Sequence, residues 1–121
     1  TDIFAIIEEV HEDGRVQHVS QAGLRTSHRT LNDPPFDNFG LPWHGNYSAD
    51  GSLLPGSPVE IVLAFPPTTN VFDRGNKIRL TITGADAGSH TPSSMLPGAS
   101  ITVYRNSSHT SYIDLPTLQL E

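Results

Sequence analysis

A chain of 121 residues is one domain by length, and it is long enough to bury roughly two-thirds of its unfolded surface in a single core. Apolar residues are 36% of it, charged residues 17%, and Gly and Pro number ten each, a turn-rich balance that favours many short strands over a helical bundle. Thirteen acidic residues against seven basic ones give a net charge of −6 with no Lys or Arg run, which argues against a nucleic-acid partner. No window approaches the ~18 consecutive apolar residues of a membrane span. The absence of Cys excludes disulfides, thiolate metal sites and a Cys nucleophile. A start at Thr1-Asp2-Ile3-Phe4, without Met, basic n-region or cleavage motif, reads as a segment of a longer chain and leaves the compartment open.

In chain order, the apolar run Ile3 to Val10 is ambiguous by itself, but His11-Glu12-Asp13-Gly14-Arg15 follows it and the chain resumes with Arg15-Val16-Gln17-His18-Val19. The Asp-Gly pair supplies the positive φ of a tight turn, so the pattern predicts a hairpin with strands at about 3–10 and 15–20. Gln21-Ala22-Gly23 reads as a break, and the alternation from Leu24 to Leu31 as a third strand. From Asn32 to Gly56 periodicity gives way to Pro and Gly, a stretch too long for an ordinary connection. Val59, Ile61, Leu63 and Phe65 then alternate up to Pro66-Pro67. After Asp73-Arg74-Gly75-Asn76, residues 77–83 make the clearest strand, with Ile78, Leu80 and Ile82 directed inward. An irregular stretch from Gly84 to Gly98 precedes strands at 99–105 and 111–115, the last ending at Pro116. Seven short strands with long loops point to an all-β sandwich.

Little in this chain points to chemistry. There is no Gly-x-Ser-x-Gly elbow, and although His109 and Asp114 pair on paper with a nearby Ser, nothing local sets a base against an oxyanion hole. Six His residues raise a cupin-type metal enzyme, but no His-x-His pair or His-Glu-x-x-His helix supports it, so no metal and no cofactor is expected. The acidic stretch from Glu8 to Asp13 lacks the ligand pattern of a calcium loop and reads as a solvated turn. Arg25, Arg29 and Arg79, on predicted strands, read as structural ion-pairing residues.

The loop from Phe36 to Tyr47 holds four of the nine aromatics. Rings beside Asn and Asp suit a capped sandwich end, a domain or subunit interface, or a sugar platform. Phe36, Phe39, Trp43, His44 and Tyr47 are therefore the candidate binding or interface residues, with Trp43 and Tyr47 the pair that would stack on a sugar.

Several strings, in order, resemble one family. Asp2-x-Phe4 with Val10-x-x-Asp13-Gly14-Arg15, then Gly23-Leu24-Arg25 with Arg29, and Leu54-Pro55-Gly56 leading to Val59-Glu60-Ile61, carry the likeness. Its most specific stretch is Thr69-Asn70-Val71-Phe72-x-x-Gly75-x-x-Ile78-Arg79-Leu80, and His109-x-Ser111-x-Ile113-x-Leu115-Pro116 closes it. Together they resemble the C-terminal non-catalytic domain of the X-Pro dipeptidyl-peptidase and cocaine-esterase-like serine hydrolases. The resemblance implies a jelly-roll β-sandwich, galactose-binding-like in architecture, joined to an upstream α/β-hydrolase domain that carries the triad. This chain departs from the pattern at Asn76, where the family usually has His, and in a longer loop after Arg29. It also begins short of the family's opening strands. A jelly roll without them leaves strand edges unpaired, which implies pairing with another copy or with another segment. The expectation is one domain over residues 1–121, an accessory domain with no catalytic residue of its own, contributing stability, subunit contacts and one wall of a cleft. A carbohydrate-binding sandwich is the alternative.

Overall fold

The structure is a computed structural model and describes residues 1–45, 51, 53–85 and 100–118. Its regular elements are β1 (Asp2–Val10), β2 (Val16–Arg25) and β3 (Lys77–Thr83), with one 3-10 turn at Thr26–His28. The three strands form a single antiparallel sheet in the order β2-β1-β3. The chain is all-β among its described residues, as a fragment of a β-sandwich would be, and no described helix is long and apolar enough to cross a membrane.

The β1–β2 hairpin closes where Asp-Gly predicts. His11 N–H donates to the Arg15 carbonyl and Gly14 N–H to the His11 carbonyl, both at 2.9 Å. Asp13 Oδ1 accepts from Arg15 N–H, and Gly14 sits at φ 85°, which a residue without Cβ adopts at no steric cost. β2, however, does not stop at Ser20. It continues through Gln21-Ala22-Gly23, since Gly23 pairs with Phe4 and a Cβ built on it would lie 2.7 Å from the Phe4 ring. The glycine there admits an aromatic ring and is not a break. Between Ile7↔Ser20 and Glu8↔His18 the register slips by one residue, leaving Val19 as a bulge.

The third predicted strand is also corrected. β2 ends at Arg25, and a 3-10 turn begins at Thr26, whose N–H and Oγ1 both still donate across to the Thr1 carbonyl at 2.9 Å. Segments 59–65, 99–105 and 111–115 carry no ladder pairing among the described residues, residue 99 lying outside them. The last two approach each other around a turn in which Asn106 Oδ1 accepts from Ser108 and His109 N–H, while Ser111 Oγ donates to the Tyr104 carbonyl. Alternation selects which side chains can share a face; a strand also needs a neighbour for its backbone.

The pairing register divides the sheet into two faces, since opposed residues lie on the same side. Ala5, Ile7 and Glu9 of β1 stand with Ile82, Leu80 and Ile78 of β3. Phe4, Ile6 and Glu8 stand with Thr83, Thr81 and Arg79. The core is centred on β1, where Phe4, Ala5 and Ile7 are buried with Ala22 of β2. Ile78, Leu80 and Ile82 do lie on the apolar face, yet they remain 48%, 41% and 41% exposed. Covering the rest of each is worth about 1 kcal/mol.

Candidate functional site

Two regions gather polar and aromatic side chains. The first surrounds Glu9. Its position two residues after Ile7 puts a carboxylate on the apolar face of the central strand, where it is 2% exposed. Asn76 Nδ2 donates to Oε1 at 2.6 Å, Asp73 N–H donates to the same oxygen at 3.2 Å, and Asn70 Nδ2 donates to Oε2 at 3.1 Å. The Asn76 hydrogen bond foremost, then that of Asn70, holds the Glu9 carboxyl below the usual carboxylate range against the opposing effect of burial. Asn76 Nδ2 also lies 3.1 Å from His11 Nδ1, which Arg15 approaches at 3.2 Å. Gly75, at φ 90°, leaves no room for a Cβ against the Glu12 carboxylate. The segment Asn70 to Asn76 is therefore built as a wrapping for one buried carboxylate.

This corrects the reading of Glu8 to Asp13 as a solvated turn. Glu12 and Asp13 are exposed, but Glu9 is not. The available signal was a charged residue in phase with Ala5 and Ile7 on the strand's apolar face. On the opposite face Glu8 Oε2 accepts from Arg79 Nε at 2.8 Å and from Thr81 Oγ1 at 3.2 Å, and the Arg79 bond foremost lowers its titration. Asp2 pairs with Arg25 at 3.0 Å. Arg29 donates to the Thr26 and Gly51 carbonyls, both at 3.0 Å. The three arginines thus have structural partners, two of them carboxylates and one a pair of carbonyls.

The second region is the aromatic loop. Asn32 N–H donates to the Trp43 carbonyl at 2.9 Å and closes its base. Phe36 and Trp43 meet edge to face, 5.7 Å between centroids at 71°. Gly45 lies under the Trp43 ring, so closely that a Cβ there would collide with it. His44 Nε2 lies 2.8 Å from the Val62 carbonyl, which ties the loop to segment 59–65, and Nδ1 lies 3.2 Å from the Thr30 carbonyl ahead of the loop. Phe39 differs from these neighbours. Its φ is 58°, a conformation costing an aromatic residue on the order of 1 kcal/mol, and its side chain is 87% exposed. Tyr47 lies outside the described residues.

Of the five candidate residues, then, the structure brings Phe36 and Trp43 together, ties His44 to the backbone and sets Phe39 apart. His109 packs beside Tyr104 with centroids 5.1 Å apart. Ser27 Oγ lies 3.1 Å from its neighbour His28 Nδ1, while the Asp2–Arg25 and Glu8–Arg79 ion pairs join a carboxylate to arginine. No three His, Asp or Glu side chains converge as metal ligands among the described residues.

Among the described residues these features define an all-β chain whose buried carboxylate and arginines are held by hydrogen bonds within it. Residues 1–114 match the family described as the X-Pro dipeptidyl-peptidase C-terminal non-catalytic domain, and the chain belongs to that family. It is 39% identical over 121 residues to "Putative serine esterase Mb1866c" of Mycobacterium bovis (strain ATCC BAA-935 / AF2122/97). The same identity relates it to "Putative serine esterase MT1883" of Mycobacterium tuberculosis (strain CDC 1551 / Oshkosh). Each alignment covers 96% of this chain and 19% of the relative, so the chain spans about a fifth of the length of these proteins. No solved structure matches the chain significantly.

Proposed function

We propose that this chain is the accessory, non-catalytic C-terminal domain of a larger serine hydrolase acting on ester or amide bonds. The reading rests above all on the family match over residues 1–114, and the esterase names of the relatives point the same way. The half-covered apolar face of β3 supports it, because Ile78, Leu80 and Ile82 are placed for packing that the described residues supply only in part. In the complete enzyme the domain would be a galactose-binding-like jelly roll fixed to an α/β-hydrolase catalytic domain. The aromatic loop would supply an interface or one wall of the substrate cleft, and substrate choice would be affected without a residue here touching the reacting bond. β2 and β3, the edges of the described sheet, would pair by strand addition with another segment or another copy.

The test is made on the native gene product, recovered from its source cells with an antibody to this segment and treated with a fluorophosphonate probe. A labelled species several times longer than 121 residues, with the label outside this sequence, is the expected result. An unlabelled species of this length would overturn the reading and turn attention to a free-standing sugar- or protein-binding sandwich. Sedimentation of the same material addresses the strand edges, and a strict monomer removes the proposal that they pair between copies.

A further inference from the structure

Among the described aromatic residues of the loop, Phe39 stands apart from the contacts that shape it. Phe36 and Trp43 hold each other, and His44 holds two carbonyls. Phe39, at the tip, is 87% exposed at φ 58°, followed by Gly40 at φ 74°. The turn beneath it is firmly built. Asp37 Oδ1 accepts from Phe39 N–H at 2.9 Å, Leu41 N–H donates to the Asn38 carbonyl at 3.2 Å, and the Asn38 side-chain amide donates to the Leu41 carbonyl. A turn needing only this backbone shape would favour Gly or Asn at the positive-φ position. An aromatic ring there pairs an unfavourable conformation with an exposed apolar surface, and a contact outside these residues would offset both.

We propose that Phe39 is the anchor by which this domain docks on the catalytic portion of its own polypeptide, its ring entering an apolar pocket there. The proposal rests on the reading of the chain as an accessory domain. About four-fifths of each relative's length lies outside the part this chain matches, so a covalently tethered partner is at hand. Tethering raises the effective concentration to roughly the millimolar range, which lets one aromatic anchor suffice where two free proteins need about 1,000 Å² of contact. The rim of the pocket is specified by charge. Asp33 and Asp37 are exposed in the same loop, and no Lys or Arg occurs from Thr30 to Gly45. The complementary surface is therefore an apolar pocket bordered by basic side chains or backbone N–H donors.

The experiment uses the full-length polypeptide with p-benzoylphenylalanine in place of Phe39, irradiated and mapped by peptide mass, alongside F39A and F39G in limited proteolysis. The expected crosslink joins position 39 to a peptide of the same chain outside residues 1–121. Both substitutions should speed proteolytic separation of the two portions by roughly 10- to 30-fold, the range of an aromatic hot spot. Glycine suits the backbone at this site, so F39G keeps the domain's own thermal midpoint and separates lost docking from lost folding. A crosslink to a second copy, no crosslink, or native protease resistance in F39G overturns the anchor. Fluorophosphonate labelling of the same sample distinguishes the two levels. Label without the crosslink removes the anchor and leaves the accessory-domain reading standing. Absence of label removes that reading, and with it the anchor as stated.

Discussion

The Glu9 region and the aromatic loop are both dense in polar and ring contacts, but they are assembled on different scales. The hydrogen bonds at Glu9 join residues 61, 64 and 67 positions apart in sequence. Those shaping the loop tip span two or three positions, and the His44 bonds span 14 and 18. The first region exists only when β1 and the chain ahead of β3 have come together, so it reports on the whole fold. The second shapes itself locally and can present a side chain outward without disturbing the sheet. A domain that must stay folded while offering a docking surface benefits from that separation.

The sharpest way to break the comparison is Glu9→Ala. It removes the shared acceptor of the half-buried Asn70 and Asn76 amides and of the Asp73 N–H, and leaves a cavity where a buried carboxylate stood. The thermal midpoint should fall by roughly 10 °C or more. Well below that midpoint, fluorescence from Trp43 should stay native, because the loop has its own bonds. A coincident shift of the Trp43 spectrum would show the two regions to be one unit. Gly23→Val comes next. Any Cβ at Gly23 meets the Phe4 ring at 2.7 Å, and overpacking of that kind costs about 1–3 kcal/mol. Phe4→Leu in the same background should recover part of the loss in urea unfolding, which assigns the cost to that contact.

Acidity sharpens the contrast further. The Glu9 carboxyl titrates lower in the folded chain than when unfolded, so its contribution is full above the ordinary carboxylate range and is lost as pH falls through the lowered folded value. Glu8, lowered chiefly by Arg79, has the same sign. Urea midpoints should therefore decline on acidification from neutral pH toward about pH 3. Glu9→Gln, neutral throughout, should lower the neutral plateau and flatten the decline. An unchanged slope would remove Glu9 as the source.

How much of this was legible in the sequence follows from the same difference of scale. The hairpin could be read because Asp13-Gly14 sets its turn locally, and β3 because Ile78, Leu80 and Ile82 alternate with polar residues. Gly23 misled because a glycine that admits a ring from another strand has the same local appearance as one that ends a strand. The segments 59–65, 100–105 and 111–115 alternate equally well, but pairing depends on a neighbour that no local pattern supplies. In the aromatic loop the residue types were evident, whereas the division of labour between the Phe36–Trp43 pair and an isolated Phe39 lies in ring geometry and one backbone angle. Glu9 could be placed on the apolar face by counting from Ile7, yet its donors come from more than 60 residues away.

The smallest expected effect tests the loop's independence most directly. Gly45→Ala places a methyl group where the Trp43 ring now lies, and the ring must move away from Gly45 and change its edge-to-face contact with Phe36. Trp43 is the single tryptophan of the chain, so its emission reports that movement without interference and should shift to longer wavelength as the indole meets more water. Nothing in the Glu9 bonds involves residues 32–45, so the thermal midpoint should change by no more than about 2 °C, an effect of the size expected away from the core. A large stability loss would mean that the sheet leans on the loop. A spectral shift alone means that the loop can be reshaped while the fold beneath it stays intact, which is the property a presented anchor at Phe39 requires.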